Sequence, residues 1–505
     1  MANPADPTTT ICSIPETKSN VCIGSFSTNF SRSAMCVFAL AAIGAPGMLR
    51  GMNLSTLLLE REAAGKPVTV GLIGAGKFGT MFLAQARLTH GLHVVAVADL
   101  DIERARSQLQ TAGWPVAQYS AASLGDALKQ RTTHITPDAT ALIAFPGIEV
   151  IVEATGIPEA GIVHALKTIQ HGKHIVMVNV EADALAGPLL ARKARAAGVV
   201  YSLAWGDQPA LICEHVDWAR AAGFKVVAAG KGTRYEPHYH RSNPDNVWDI
   251  LDKYLNISDR KSINPKMFNS FVDGTKSGIE MTAVCNATGL VPQTEGLSFP
   301  PATRFELAEV CKPQSAGGVL EKDGVTEVTS SVYRDGRDVP HHLALGTYVV
   351  IEGETEYARR CFREYAMLPD KSGRYAALYR PIHMIGLELG ISVASAALRK
   401  EPTGAPTGFR SDVVATAKRS LKAGEMLDGE GGFCVWGKQT PAQVSLDQGF
   451  LPLGLAQNVK LTRDIKEGDR LKWTDVAYDA DDSAVRIRRE MEAAFGRRNV
   501  TAAAV

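Results

Sequence analysis

The chain has 505 residues, of which 45% are hydrophobic and 21% charged, the composition of a soluble globular protein long enough for two or three domains. Its net charge of +1, with no basic run, gives neither nucleic acid nor a membrane surface a field to bind to. The eight cysteines are scattered without a CxxC or a Cys/His cluster, which argues against a zinc site or disulfide framework and fits a reducing, cytoplasmic setting.

Residues 1–51 differ in kind from the rest. They are rich in Thr, Ser, Pro and Asn, and their one apolar run, from Ser33 to Ala45, is too short to span a bilayer. They are expected to be a disordered extension, or to lie upstream of a true start at Met48 or Met52. Asn53-Leu-Ser55-Thr-Leu-Leu-Leu-Glu then reads as a first helix capped by Asn53 or Ser55.

Val68-Thr-Val-Gly-Leu-Ile-Gly74-Ala-Gly76-Lys77-Phe78-Gly79 is an apolar, β-branched run that breaks into a glycine-spaced turn and a helix. This is a strand–turn–helix for a dinucleotide pyrophosphate. Gly74 allows the turn, Gly76 the approach of backbone N–H groups, and Gly79 close helix packing. The next strand, His93 to Asp99, ends in an acid twenty residues after Gly79, where a carboxylate meets the adenosine ribose. Asp99 favours NAD, whereas Arg104 and Arg106 are able to hold the 2′-phosphate of NADP, so residue by residue both cofactors stay open. Strands from Val150 to Glu153 and from Lys173 to Glu181 alternate with helices. They predict a doubly wound parallel Rossmann sheet, with Thr155, Gly156, Asn179 and Glu181 converging near the nicotinamide.

Downstream, Asp207 sits at the apex of a strand-to-helix turn, as a substrate group or a helix cap. Lys231 ends a strand between Gly230 and Gly232, glycines read as clearing room for its ammonium beside an anion. Asn264-Pro-Lys266-Met-Phe-Asn269 continuing through Asp273, Lys276 and Glu280 is dense in functional groups yet interleaved with apolar residues. One helix is expected to carry Asp273, Lys276 and Glu280 on one side, suited to proton transfer beside a carbonyl or to metal binding by the two carboxylates. His238 and His240 read as loop residues. Tyr375 to Leu398 reads as a long helix around His383 and Glu388. Pro402 to Gly408 reads as a linker to a small β-rich module whose arms, from Ala417 and from Leu461, share a pattern; a charged helix closes the chain. The domains are thus 52–205, a Rossmann domain; 206–400, an α+β catalytic and dimerisation domain; 401–485, the β module; and 486–505, the tail.

Gly74 to Gly79, Glu153-Ala-Thr-Gly and Gly172-Lys-His-Ile-Val-Met-Val-Asn resemble the dinucleotide domain of homoserine dehydrogenases, although Val180 stands where that family carries a lysine. From Met52 to about Phe495 the chain resembles the deoxyxylulose phosphate reductoisomerase-like family. The strings that carry this are Val178-Asn-Val-Glu-Ala-Asp, Gly206-Asp-Gln-Pro-Ala-Leu-Ile-Cys-Glu, Ala229-Gly-Lys-Gly-Thr and Asn264-Pro-Lys-Met-Phe-Asn-Ser-Phe. The C-terminal module resembles SAF domains. The resemblance implies a homodimer that uses NADPH, with a divalent cation as a further expected group, to convert the phosphorylated sugar 1-deoxy-D-xylulose 5-phosphate into 2-C-methyl-D-erythritol 4-phosphate. Lys231, Lys266 and Lys276 would hold phosphate or polarise oxygen, with Asn269 among them, and Asp207, Asp273 and Glu280 would move protons or bind metal. The alternatives are a dehydrogenase of another polyol, sugar acid or amino acid, and a non-catalytic nucleotide-binding assembly protein.

Overall fold

The computed structural model of the chain describes residues 53–253 and 264–496, so the expectations for residues 1–51 and for the end of the tail lie outside the described residues. Six strands form the first sheet: β1 (Val68–Ile73), β2 (Leu92–Ala98), β3 (His134–Thr136), β4 (Val150–Glu153), β5 (His174–Met177) and β6 (Tyr201–Leu203). Their order is β3-β2-β1-β4-β5-β6 and every pairing is parallel. This is the doubly wound Rossmann order, whose ligand crevice opens outside the strand carboxyl ends where the order reverses, between β1 and β4. The central strands read as unbroken apolar runs because helices cover both faces: every residue of β1, β4 and β5 is buried.

The chain then builds a mixed sheet from β7 (Lys225–Thr233), β8 (Val325–Ser330), β9 (Thr347–Glu352) and β10 (Tyr375–Arg380), in the order β10-β9-β7-β8. Helices Gln208–Ala221 and Thr275–Thr288 pack on it. The C-terminal module holds two small antiparallel sheets, β11 (Ser411–Ala417) with β13 (Val435–Pro441), and β12 (Met426–Asp428) with β14 (Gln457–Leu461) and β15 (Val476–Ala477). Its two arms are related as their sequences suggest. Leu421 and Ile465 exchange backbone hydrogen bonds, and Gly424 N–H to Leu461 O is mirrored by Gly468 N–H to Ala417 O. One apolar core runs through Ile175, Leu185, Ala283, Val413, Leu451 and Trp473, joining the Rossmann helices, helix Thr275–Thr288 and the module.

Four local readings change. The segment from Lys173 is strand only to Met177; Asn179 then caps helix Val180–Ala196 through its side chain. Asp273, Lys276 and Glu280 do not share a helix. Helix Pro265–Val272 stops at Asp273, Gly274 turns the chain with φ +89°, and Lys276 and Glu280 lie in the next helix. Tyr375 to Leu398 is not one helix but β10, a loop opened by Pro381, and a short helix Gly390–Ala394. The loop lets Gly386 lie against Met81 and the Phe78 carbonyl, where a side chain has no room. The expected linker is stapled down: Leu203 N–H donates to Gly404 O and Thr407 N–H to Asn286 O.

Candidate active site

The three glycines of the first turn do three different things. Gly74 has φ +96°, and a Cβ there would lie 2.7 Å from Ala154 O. A Cβ on Gly79 would run into the Gly74 carbonyl, so the helix Lys77–Ala86 packs hard against the turn. A Cβ on Gly76 would meet nothing within 4 Å, and Gly76 caps that helix without a side-chain bond. The turn is therefore tight on its protein side and open above the helix N-terminus, a shape that accepts a pyrophosphate on free backbone N–H groups. Lys77 is exposed at the first helical position, and half-buried Phe78 follows it.

Asp99 directly follows β2, with its side chain 2% exposed. Its Oδ2 accepts from Ala75 N–H at 2.8 Å and its Oδ1 from Asp101 N–H at 2.9 Å and Arg104 Nη2 at 2.6 Å. The acid thus braces the glycine turn, and Arg104 already balances its charge. Across the crevice, Gly156 has no atom within 4 Å of its would-be Cβ. Thr155 Oγ1 donates to Glu153, and Asn179 Nδ2 donates to Ile157 O at 2.9 Å while its Oδ1 accepts from Ala182 N–H. Asn179 therefore fixes the loop after β4 to the helix after β5.

Next to this edge lies a buried cluster of opposite charges. Lys276 is ion-paired with Glu181, which sits in the first turn of helix Val180–Ala196. Lys231 on β7 is ion-paired with Glu280, with both side chains 5% exposed or less. Asp207 caps helix Gln208–Ala221 just beyond β6. Burial, and then the Glu280 carboxylate, push Asp207 up to about 6, against the opposing pull of Lys276, His383 and the Gln208 N–H. Burial works against the Lys276 ammonium, but Glu181, Glu430, Glu280 and Asp207 hold its pKa above the ordinary lysine value. The cluster therefore combines a permanent cation with a carboxyl that titrates near neutrality, the two things needed to stabilise a developing oxyanion and hand on a proton.

The glycines beside Lys231 serve packing rather than access. A Cβ on Gly230 would strike Glu327 O, and one on Gly232 would strike Leu343 O, so both let β7 lie close to its neighbours. Three residues of the Asn264 stretch point away from the cluster. Lys266 Nζ donates to Asp428 O. Asn269 is fully buried; its Nδ2 donates to Ser242 O and Gly431 O, and its Oδ1 accepts from Ser242 Oγ. Asp273 is paired with buried Lys418 at 2.7 Å. His240, read as a loop residue, is wedged in: it stacks on Trp436 at 3.7 Å and bonds Tyr235 Oη and Asp273 O. Glu430 was not singled out in the sequence, although Gly429-Glu-Gly-Gly432 brackets a carboxylate with glycines just as Lys231 is bracketed.

Because Asp207 is raised from 3.8 to about 6, its folded-state contribution is fully present below the unfolded pKa and lost as pH rises through about 6. Asp207→Asn keeps the cap and removes this loss. The variant is expected to match the parent in urea denaturation near pH 4 and to exceed it by on the order of 2 kcal/mol near pH 8. A gap that does not widen with pH contradicts the assignment.

Among the described residues no group of three or more His, Cys, Asp and Glu side chains is placed to hold a metal ion. Asp273 and Glu280, the carboxylates expected to share one, each face a lysine instead. The donor set does not fit a divalent cation. Among the described residues no helix is long and apolar enough to cross a membrane.

A Rossmann sheet in the β3-β2-β1-β4-β5-β6 order, a three-glycine turn open to an anion and an acid–base cluster beside it define an NAD(P)-dependent oxidoreductase. Comparison with known families agrees: residues 70–203 match the NAD binding domain of homoserine dehydrogenase, and residues 206–389 match the catalytic domain of oxidoreductase DRL. No curated protein matches the chain. Similar solved structures include a probable dehydrogenase from Thermotoga maritima, at 12% identity over 66% of this chain and 90% of that one, with a TM-score of 0.35. A dipicolinate-bound dihydrodipicolinate reductase from Paenisporosarcina sp. TG-14 is 12% identical over 66% and 97% of the two chains, with a TM-score of 0.32. A myo-inositol dehydrogenase from Lactobacillus casei, in complex with NAD(H) and myo-inositol, is 15% identical over 66% and 94%, with a TM-score of 0.31.

Proposed function

We propose that the chain is an NADPH-dependent reductoisomerase that converts 1-deoxy-D-xylulose 5-phosphate into 2-C-methyl-D-erythritol 4-phosphate, acts as a homodimer, and carries an SAF-like C-terminal module. The observation that supports it most is the buried cluster of Lys231, Lys276, Glu280, Asp207 and Glu181 at the carboxyl edge of the cofactor sheet, within a segment matching the oxidoreductase DRL catalytic domain. When bound, the nicotinamide supplies hydride to a carbonyl carbon. The Lys276 ammonium supports the substrate's carbonyl oxygen while a carboxylate of the cluster, Asp207 or Glu280, takes the proton of a substrate hydroxyl. The carbon skeleton rearranges to an aldehyde, and the same ammonium stabilises the oxygen of that aldehyde as it is reduced. The proton taken from the hydroxyl passes to the former ketone oxygen, which becomes a tertiary hydroxyl, and a second proton, drawn from solvent through Asp207, neutralises the alkoxide left by hydride transfer, so each turnover consumes one proton with each NADPH.

The pairing of Asp99 supports NADPH as the cofactor. The Asp99 carboxylate is already occupied by Ala75 N–H and Arg104, and the Arg104 side chain, from helix Ile102–Thr111 just after β2, is 53% exposed. A guanidinium there meets a 2′-phosphate bidentately. Arg104→Ala is expected to weaken NADPH about tenfold and leave NADH nearly unchanged in titration calorimetry; equal loss for both contradicts this role. The reaction itself is tested by incubating purified protein with NADPH and 1-deoxy-D-xylulose 5-phosphate, with and without added magnesium, and identifying the product by mass spectrometry. Methylerythritol phosphate is the expected product. Turnover of a different carbonyl compound, with this sugar untouched, would leave the oxidoreductase class standing and remove the substrate. Sedimentation analysis checks the dimer.

A further inference from the structure

The C-terminal module reaches into the active site. Its loop from Asp428 to Cys434 is held on helix Pro265–Val272 by bonds from both sides: Lys266 Nζ to Asp428 O, Asn269 Nδ2 to Gly431 O at 3.0 Å, and Lys418 Nζ to Gly432 O at 2.7 Å. Gly431 has φ +65°, and a Cβ there would strike the Lys266 carbonyl, so the loop touches the helix backbone to backbone. This attachment explains why Lys266 and Asn269 stand where they do. It leaves Glu430 at the loop apex, half-buried, bonded by Ser270 Oγ and lining the same small cavity as Glu181 and Ile279.

We propose that Glu430 is a positioning residue of the active site: with Glu181 it holds the Lys276 ammonium from two sides and aims it at the substrate oxygen. The module is then part of the catalytic apparatus rather than an appendage. Every charged group facing Glu430 fits this place. Glu181 comes from helix Val180–Ala196, Lys276 from helix Thr275–Thr288, and Asp273, already neutralised by Lys418, from the turn between helices Pro265–Val272 and Thr275–Thr288. Asp412, which lines the same cavity from β11, is occupied by Arg488. Of the cations around Glu430, Lys418 is thus taken by Asp273 and Arg488 by Asp412, while Lys276 faces it. Burial, and then the Glu181 carboxylate, push Glu430 up to about 7, against Lys276 and the Ser270 hydroxyl. Glu430 therefore gains a proton near neutral pH, which weakens the hold on Lys276 as pH falls.

The test does not depend on the substrate. Lysines are acetylated with acetic anhydride at about pH 9 and the extent at each is read by mass spectrometry; only the free amine reacts. Removing a carboxylate that faces an ammonium lowers its pKa by about one unit, so Glu430→Gln is expected to raise labelling of Lys276 about tenfold relative to Lys231, which is paired with Glu280. Ser270→Ala, which releases Glu430, is expected to raise it by a smaller factor, and Glu430→Asp to restore most of the protection. Because the fold change is taken against Lys231 in the same molecule, general loosening of the fold raises both and is recognised. An equal rise at Lys276 and Lys231 in Glu430→Gln overturns the proposal, as does unchanged labelling of both. Where turnover of the sugar phosphate is measurable, Glu430→Gln is expected to lower kcat at least tenfold with KM within about twofold, and to lose the pH limb near 7. This second readout rests on the proposed reaction. If wild type does not turn the sugar over, that reading falls and the labelling result still decides the role of Glu430.

Discussion

Lys276→Met is expected to reduce turnover by about 10³-fold, the order lost when one preorganised charge is removed from an oxyanion site, while cofactor binding stays within about twofold because the glycine turn is untouched. The effect is large because Lys276 is the shared counter-ion of four carboxylates, Glu181, Glu430, Glu280 and Asp207. Without it they crowd one another with Lys231 and His383 left to offset them, and they answer by taking up protons. The same variant is therefore expected to be less stable near pH 8 than near pH 5, a dependence steeper than the parent's. Lys276→Arg keeps the charge but not the compact ammonium; it should recover the stability and only part of the rate. Steady-state kinetics with NADPH and urea denaturation at the two pH values check both halves. A Lys276→Met protein that still turns over at the wild-type rate removes the lysine from the chemistry.

Arg488→Leu is expected to destabilise the fold by about 3–5 kcal/mol, the cost of leaving a buried charge without its partner. Arg488 lies in the last helix, Ser483–Gly496, and its side chain and that of Asp412 are both 0% exposed. The guanidinium holds both oxygens of Asp412, at 2.5 and 3.1 Å, and also bonds Leu185 O and Glu492, with the Phe409 ring 5.1 Å from its carbon. One side chain thus ties the tail to β11 and to helix Val180–Ala196, the helix that carries Glu181. Adding Asp412→Leu is expected to return most of the loss, because two matched apolar residues carry no desolvation penalty. Failure of the double variant to recover anything would mean that the helix is held by shape rather than by the ion pair. Denaturant midpoints of the two variants decide it.

The cofactor half of the molecule was legible because its signals are local. The spacing of Gly74, Gly76 and Gly79, the buried strand before them and Asp99 after them are all set within about thirty residues, and strands alternating with helices leave few topologies open. The chemistry was legible as a list of residues and not as an arrangement. Lys231, Lys276, Glu280, Asp207 and Glu181 do converge, but Lys276 meets Glu181 across 95 positions and Lys231 meets Glu280 across 49, and nothing local specifies either pairing. Glycines misled where their reason was tertiary: those flanking Lys231 make room for neighbouring backbone. Helical spacing misled at Asp273, where a following Gly274 ends one helix and starts another. Lys266 and Asn269 carried the look of a catalytic stretch because docking a loop backbone to backbone uses the same polar side chains. Glu430 went unread because its place depends on that docking, more than 150 residues downstream of the helix it meets.

The most direct test of the account is the fate of the transferred hydrogen. NADPH deuterated at the transferring position of the nicotinamide ring is incubated with 1-deoxy-D-xylulose 5-phosphate and either wild-type protein or Lys276→Met, and the products are examined by mass spectrometry. One deuterium is expected in the methylerythritol phosphate formed by wild type, accumulating about 10³-fold more slowly with the variant. Deuterium that stays on a cofactor bound by the wild-type protein, with this sugar and with every member of a carbonyl panel, would contradict the account.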